Sequence, residues 1–174
     1  MKNLLLLVLL TFLGFGTSFG QRFAYVDSKY ILENMPAFQQ AQAELNEYSK
    51  KWQETVEAKK EEINKLEKAF EAEQILLTPE MKQKRQDEIA EKKKDVLKYQ
   101  RDKFGVEGEL FKKRQELIQP LQDEIFKAIN ELAKERSYAV IFDKGTNTNM
   151  LYSDPKYDKS DVVLRKLGLS AQNE

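Results

Sequence analysis

Leu77-Thr78-Pro79-Glu80-Met81 decides how the rest of the chain folds, because it separates two long helix-forming stretches. The Thr78 hydroxyl is suited to accept from the free N–H groups that open a helix. Pro79 fits the first helical position, where its fixed φ is favourable and its missing N–H costs nothing. Glu80 complements the positive end of the helix dipole. The stretch therefore predicts the tip of an α-hairpin near Thr78.

Towards the N-terminus, neither Gly nor Pro occurs between Pro36 and Pro79. Phe38, Ala41, Leu45, Tyr48 and Trp52 recur at alternating spacings of three and four, which predicts a helical seam. The next step, from Trp52 to Val56, is four where three was due, and Lys59 interrupts the line before Ile63, Leu66 and Phe70 resume it. A slip of this kind locally unwinds a coiled coil. Towards the C-terminus, Ala90, Leu97, Phe104, Phe111, Ile118, Ile125 and Leu132 stand at successive intervals of seven and predict the facing seam. Arms of about 40 residues would reach about 60 Å.

Charge favours pairing of the two arms. Gln39 to Leu77 carries 9 acidic and 6 basic residues, whereas Met81 to Gln115 carries 7 acidic and 12 basic. Exposed pairs of this type contribute tenths of a kcal/mol each. The run Lys92-Lys93-Lys94 reads as a solvated face. Gly105 and Gly108 fall inside the heptad run, where each costs about 1 kcal/mol relative to Ala. Pro120 removes a helical hydrogen bond. These three positions are the predicted hinges of the return arm.

The two ends of the chain have a different texture. Arg22 to Asp27 reads as a short strand closed by Asp27 or Ser28 as a helix cap, with one or two helical turns from Ser28 to Asn34. Tyr138-Ala139-Val140-Ile141-Phe142 is a β-branched and aromatic run, and Met150-Leu151-Tyr152 is expected to add a third strand. A last helix is expected from Asp161 to Leu167, closed by Gly168. These short elements meet only if the hairpin returns the chain to its start. The expected fold class is α+β, with a small β-sheet association base, residues 21–36 and 137–174, and a long antiparallel α-helical arm, residues 37–136. Phe23, Tyr25, Val140, Phe142, Leu151 and Leu164 are the expected base core. The strands carrying Ile141 and its neighbours are the expected subunit interface, since so small a base needs association to be stable.

Residues 1–20 read as a cleavable export signal. Lys2 supplies the positive region, Leu4 to Leu13 the apolar run, and Ser18 and Gly20 the small residues before a cut at Gln21. An uncleaved anchor is the competitor, since the uncharged stretch from Asn3 to Gln21 is nearly long enough to span a bilayer. The glycines and polar tail favour cleavage.

Composition narrows the chemistry. With no His and no Cys among 174 residues, a thiolate nucleophile, a Ser/His/Asp triad, the usual zinc sites and disulfides are excluded. Lys+Arg 29 against Asp+Glu 29 lacks the basic surplus of a nucleic-acid binder. Asp143 to Asn149 is similar to a calcium loop, but Gly145 stands where a ligand is needed and no Glu closes it, so a hairpin turn is expected. Asp154, Asp158 and Asp161 are expected to serve as caps and turn residues rather than as a metal cluster. No glycine-rich phosphate loop is present, which points to work done without ATP.

Phe23-Ala24-Tyr25-Val26-Asp27-Ser28 before a short helix, the charged hairpin, Tyr138 to Asp143, and Leu151-Tyr152 leading to Tyr157-Asp158-Lys159-Ser160-Asp161-Val162-Val163-Leu164 resemble the Skp/OmpH periplasmic chaperones. The resemblance covers essentially all of the chain after residue 20, and its most specific parts are the two ends. It implies a jellyfish-like homotrimer joined through its β bases, whose arms enclose a cavity for unfolded outer-membrane β-barrel proteins. The activity implied is that of an ATP-independent periplasmic holdase, with no cofactor and no enzymatic step. Familiar members are strongly basic whereas this chain is neutral, so no lipopolysaccharide-binding residue is carried over and membrane-surface contact is left open. Leu76, Met81, Tyr99, Val106 and Leu110, lying off or at the end of the seam, are the expected client contacts. A structural coiled-coil spacer or envelope tether would use the same hairpin without a client.

Overall fold

The fold is seen in a computed structural model that describes residues 21–145 and 150–170. Strand β1 (Arg22–Val26) ends at Asp27, whose carboxylate accepts the Tyr30 N–H at 2.9 Å and so caps helix α1 (Ser28–Glu33). Helix α2 (Pro36–Glu73) starts with proline and runs for 38 residues, roughly 57 Å at 1.5 Å per residue. A single 3₁₀ turn, Gln74–Leu76, and the extended Leu77 reverse the chain. Thr78 Oγ1 then accepts the Met81 N–H at 3.3 Å, opening α3 (Pro79–Phe104) at the expected tip. The chain returns through α4 (Glu109–Arg136), whose left-handed cap Ser137 leads into strand β2 (Tyr138–Asp143).

The two strands pair in parallel, with Phe23 opposite Val140, Ala24 opposite Ile141 and Tyr25 opposite Phe142. Parallel strands need a long crossover. Here the whole helical arm is that crossover.

The expected third strand does not form. Met150 to Tyr152 has no strand pairing, and Leu151 is fully exposed. Tyr25 is instead bridged by Asp158, next to which the Lys159 N–H donates to the Tyr25 carbonyl at 2.9 Å. Pro155, which lacks an N–H, begins a 3₁₀ turn (Pro155–Tyr157), so the chain reaches β1 only beyond that turn. Asp158 then binds both the N–H and the hydroxyl of Ser160 at the start of α5 (Ser160–Lys166), and Ser160 Oγ accepts the Asp27 N–H at 2.8 Å. Gly168, at φ +75°, closes α5 as a left-handed residue.

The arm is antiparallel. Lys93 meets Glu67 and Lys92 meets Glu62 near the tip, while Phe104 meets Trp52 halfway down. Helix α2 buries Ala41, Leu45, Trp52, Val56 and Ile63, the expected seam. The return seam differs from its expectation. Ile89 and Val96 are buried in α3, whereas Ala90 and Leu97 are exposed. Both lines keep a spacing of seven and lie about 100° apart on the helix, so spacing alone does not select the inner one. Phe111 is also exposed, and Ile118, Ile125 and Leu132 form the buried line of α4. The heptad run is not one helix, because residues 105–108 leave helical geometry between α3 and α4.

The base core consists of Val26, Ile31, Met35, Ile125, Ala128, Leu132, Val163 and Leu164. Thus the root of α4 belongs to it as much as the chain ends do. Of the expected base core, Tyr25 and Leu164 are buried, but Phe23, Val140, Phe142 and Leu151 are exposed. The pairing register explains the exposure of Phe23, Val140 and Phe142. Phe23, Tyr25, Val140 and Phe142 share one face of the sheet, and Ala24, Val26 and Ile141 share the other. The helices cover the second face, against which Ile141 packs half-buried.

Candidate functional site

Among the described residues, two open apolar surfaces stand out, one on the base and one along the arm. The first is the outer face of the base. Phe23 and Tyr157 lie with ring centroids 5.5 Å apart, and together with Phe142, Met150 and Tyr152 they line a cleft over β1. Phe23, Val140 and Phe142 are each about half exposed, which leaves a contiguous aromatic and aliphatic patch in place of a finished core. A patch of this kind is a candidate contact surface.

The second surface is the arm. Leu76 and Val106 are almost fully exposed, and Met81 is half exposed. The other two expected client contacts are placed differently. Tyr99 is partly buried against the Val56–Val96 cluster, with the Lys59 and Lys103 ammonium groups 5.8 Å and 5.4 Å from its ring centroid. Leu110 packs against the Ala41–Leu45–Ile118 cluster. Both are half-buried between the arms because a tyrosine and a leucine flanking the seam are long enough to reach across it. The structure adds Ile75, Leu97, Phe111 and Phe126 to the exposed set. Leu97 and Phe111 were visible in the sequence, but as members of the heptad run they pointed inwards.

Charges tie the arms together between these apolar groups. Lys92 Nζ lies 2.7 Å from Glu62, and Lys93 Nζ lies 2.6 Å from Glu67. Two of the three lysines expected only to face solvent therefore cross between helices, while Lys94 remains exposed. The hydrogen bond and charge of Lys92 hold the Glu62 carboxyl below its ordinary value. A depressed carboxylate contributes above its unfolded range and loses that contribution as pH falls through the folded value. Because both groups are in solvent, the pairing tunes register rather than carrying stability.

Of the three expected hinge positions, the two glycines stand at a break between helices, whereas Pro120 lies in a continuous helix. Gly105 and Gly108 bound the turn between α3 and α4, and Pro120 sits inside α4. A methyl group at Gly105 would collide with the Arg101 carbonyl oxygen, and one at Gly108 would come within 2.9 Å of the Lys103 carbonyl oxygen. The turn thus needs both glycines.

Of the aspartates expected to cap and turn the chain, Asp154 and Asp158 do so, whereas Asp161 lies inside α5, whose N-cap is Lys159. Asp154 accepts the Lys156 N–H at 3.1 Å, Asp158 accepts from Ser160, and Asp161 stands in the first turn of α5, accepting the Tyr30 hydroxyl at 3.2 Å. Among the described residues, no three carboxylates gather to hold a metal. The tip of the Asp143–Asn149 segment and residues 1–20 lie outside the described residues. No described helix is long and apolar enough to cross a membrane.

The family described as outer membrane protein (OmpH-like) matches residues 22–167. A protein of Aquifex aeolicus described as uncharacterized is 28% identical over 152 residues, covering 87% of this chain and 89% of its own. A crystal structure of a proposed OmpH-like outer membrane chaperone from Caulobacter crescentus superposes with a TM-score of 0.70 at 13% identity. That match covers 88% of this chain and 89% of the other, and it shows a shared fold.

Proposed function

The chain belongs to the OmpH-like outer membrane protein family, and on that premise we propose that it is an ATP-independent holdase chaperone of the periplasm for unfolded outer-membrane proteins. The observation that carries the reading is the scatter of exposed large apolar side chains along a charged arm, from Leu76 and Met81 at the tip to Val106 and Phe111 midway. A spacer or tether has no use for such groups, whose natural place is between the arms. Many weak contacts, each apolar and rimmed by charge, hold an unfolded chain by multivalency while no single one traps it. Tyr99 and Leu110 then contribute only where the arms separate.

In this reading the subunits form a trimer through the outer face of the base, and three arms surround the client. Gly105, Gly108 and Pro120 allow the arms to splay around clients of different bulk. Dilution of a urea-unfolded β-barrel protein into nucleotide-free buffer tests the proposal. Aggregation followed by light scattering should be suppressed at stoichiometric chaperone. An oligomer of normal mass that leaves aggregation unchanged would favour the spacer.

The base interface has its own test. Phe142→Glu places a charge on the apolar face without entering the subunit core, since Phe142 is half exposed. The helical circular dichroism should persist while the mass by multi-angle light scattering falls to that of a monomer. A trimer that survives this charge would move the interface elsewhere.

A further inference from the structure

We infer that Lys103 is the latch of a joint in the arm, closing the break in the return helix against Trp52. Two irregularities that are far apart in sequence meet at one level of the hairpin. One is the step of four from Trp52 to Val56 in α2, and the other is the glycine turn between α3 and α4. They are in contact, because the Trp52 ring packs edge-on against Phe104, the last residue of α3, with centroids 6.1 Å apart.

At this level the backbone holds α3 and α4 together weakly. Helical bonding stops with Gly105 N–H to Arg101 C=O at 2.8 Å and resumes with Lys112 N–H to Gly108 C=O at 3.1 Å. Between them runs one turn bond, Gly108 N–H to Gly105 C=O at 2.9 Å. Lys103 spans this gap. Its Nζ lies 2.6 Å from the carboxylate of Glu109, the first residue of α4, and 5.0 Å from the Trp52 ring centroid. One ammonium therefore joins the end of α3, the start of α4 and the middle of α2.

The degree of burial separates this pair from the ion pairs that join α2 to α3 along the arm. The Lys103 side chain is only 17% exposed, whereas those of Lys92 and Lys93 are 36% and 54% exposed. A cation withdrawn from water and seated on aromatic faces is held more firmly than an exposed one. Glu109 is half exposed, so solvent and salt reach the carboxylate side of the latch. Closed, Lys103 covers Trp52 and fixes α3 against α4. Open, it uncovers Trp52 and frees the distal arm to bend where α2 is already slipped. The inference rests on the hinge reading above and does not require client binding.

The protein supplies its own reporter, because Trp52 is the single tryptophan. The experiment uses the full-length mature protein with Glu109→Gln, which keeps shape and removes charge, and Lys103→Met. Lys93→Gln, at an ion pair away from the joint, is the control. Acrylamide quenching of Trp52 and spin-label distances between cysteines introduced at Gln39 and Gln74 are read at low and high salt. Glu109→Gln should raise the open fraction by up to about five-fold, the range expected for one lost, half-exposed ion pair. This should appear as stronger quenching and a broader distance distribution. High salt should reproduce the effect in the parent and add nothing in Glu109→Gln, and Lys93→Gln should match the parent. If Lys103→Met fails to fold, Glu109→Gln decides alone. Unchanged quenching in Glu109→Gln, or a salt effect that survives in it, would overturn the latch. A distance distribution equally narrow in every variant would instead refute the hinge.

Discussion

Leu164→Ala is expected to destabilise the base by about 2–5 kcal/mol, the cost of emptying a fully buried leucine site. Leu164 has no solvent exposure and packs with Val163, Leu132 and Ile31 where α5, α4 and α1 converge. The base draws on few buried residues, so the loss is a large share of what holds the chain ends to the arm. Chemical denaturation followed by circular dichroism should show the midpoint falling with the slope retained. The contrast with Phe142→Glu is diagnostic. One change acts inside the subunit and the other only between subunits. An unfolding free energy for Leu164→Ala within about 0.5 kcal/mol of the parent would mean that the base core lies elsewhere.

Removal of Ile63 to Val96, with Glu62 rejoined to Leu97 through a short turn, is expected to abolish protection of large clients while leaving the protein folded. The excision takes out the tip, with the exposed Ile75, Leu76 and Met81, and most of the distal cluster of Ile63, Ile89 and Val96. It spares the base core and the Trp52–Phe104 contact. If clients are held at many weak points, losing the distal points should weaken retention on the order of a hundred-fold. The mass by light scattering should remain that of the assembled shortened form. Full suppression of aggregation by this form would show that the arms are not the holding surface.

Some of this architecture follows from residues acting on their immediate neighbours. Thr78 and Pro79 open α3, Asp27 caps α1, and Gly168 takes the left-handed cap of α5. Each of these depends on hydrogen bonds or dihedral preferences within a few residues, so the segment carries its own instruction. The outbound seam from Ala41 to Ile63 was legible for a related reason, since a single apolar line among charges leaves α2 one face to bury. The family resemblance lay in the two ends, and the matched residues 22–167 include both.

Residue chemistry along the chain set where the outbound helix begins, where the hairpin turns back at Thr78, and that the two ends meet. Contacts between elements chose which faces point inwards and where the return helix breaks. In α3 the lines Ile89–Val96 and Ala90–Leu97 share one spacing, and only contact with α2 chose between them. In the base, strand alternation separates Phe23, Val140 and Phe142 from Ala24, Val26 and Ile141, but only the placement of α1, α4 and α5 fixed which set is covered. The glycines announced a weak point in the return arm, yet the hairpin register alone set it opposite the slip at Trp52. Periodicity specifies a face relative to its own helix or strand, whereas burial is a relation between two elements, fixed only when their surfaces are brought together.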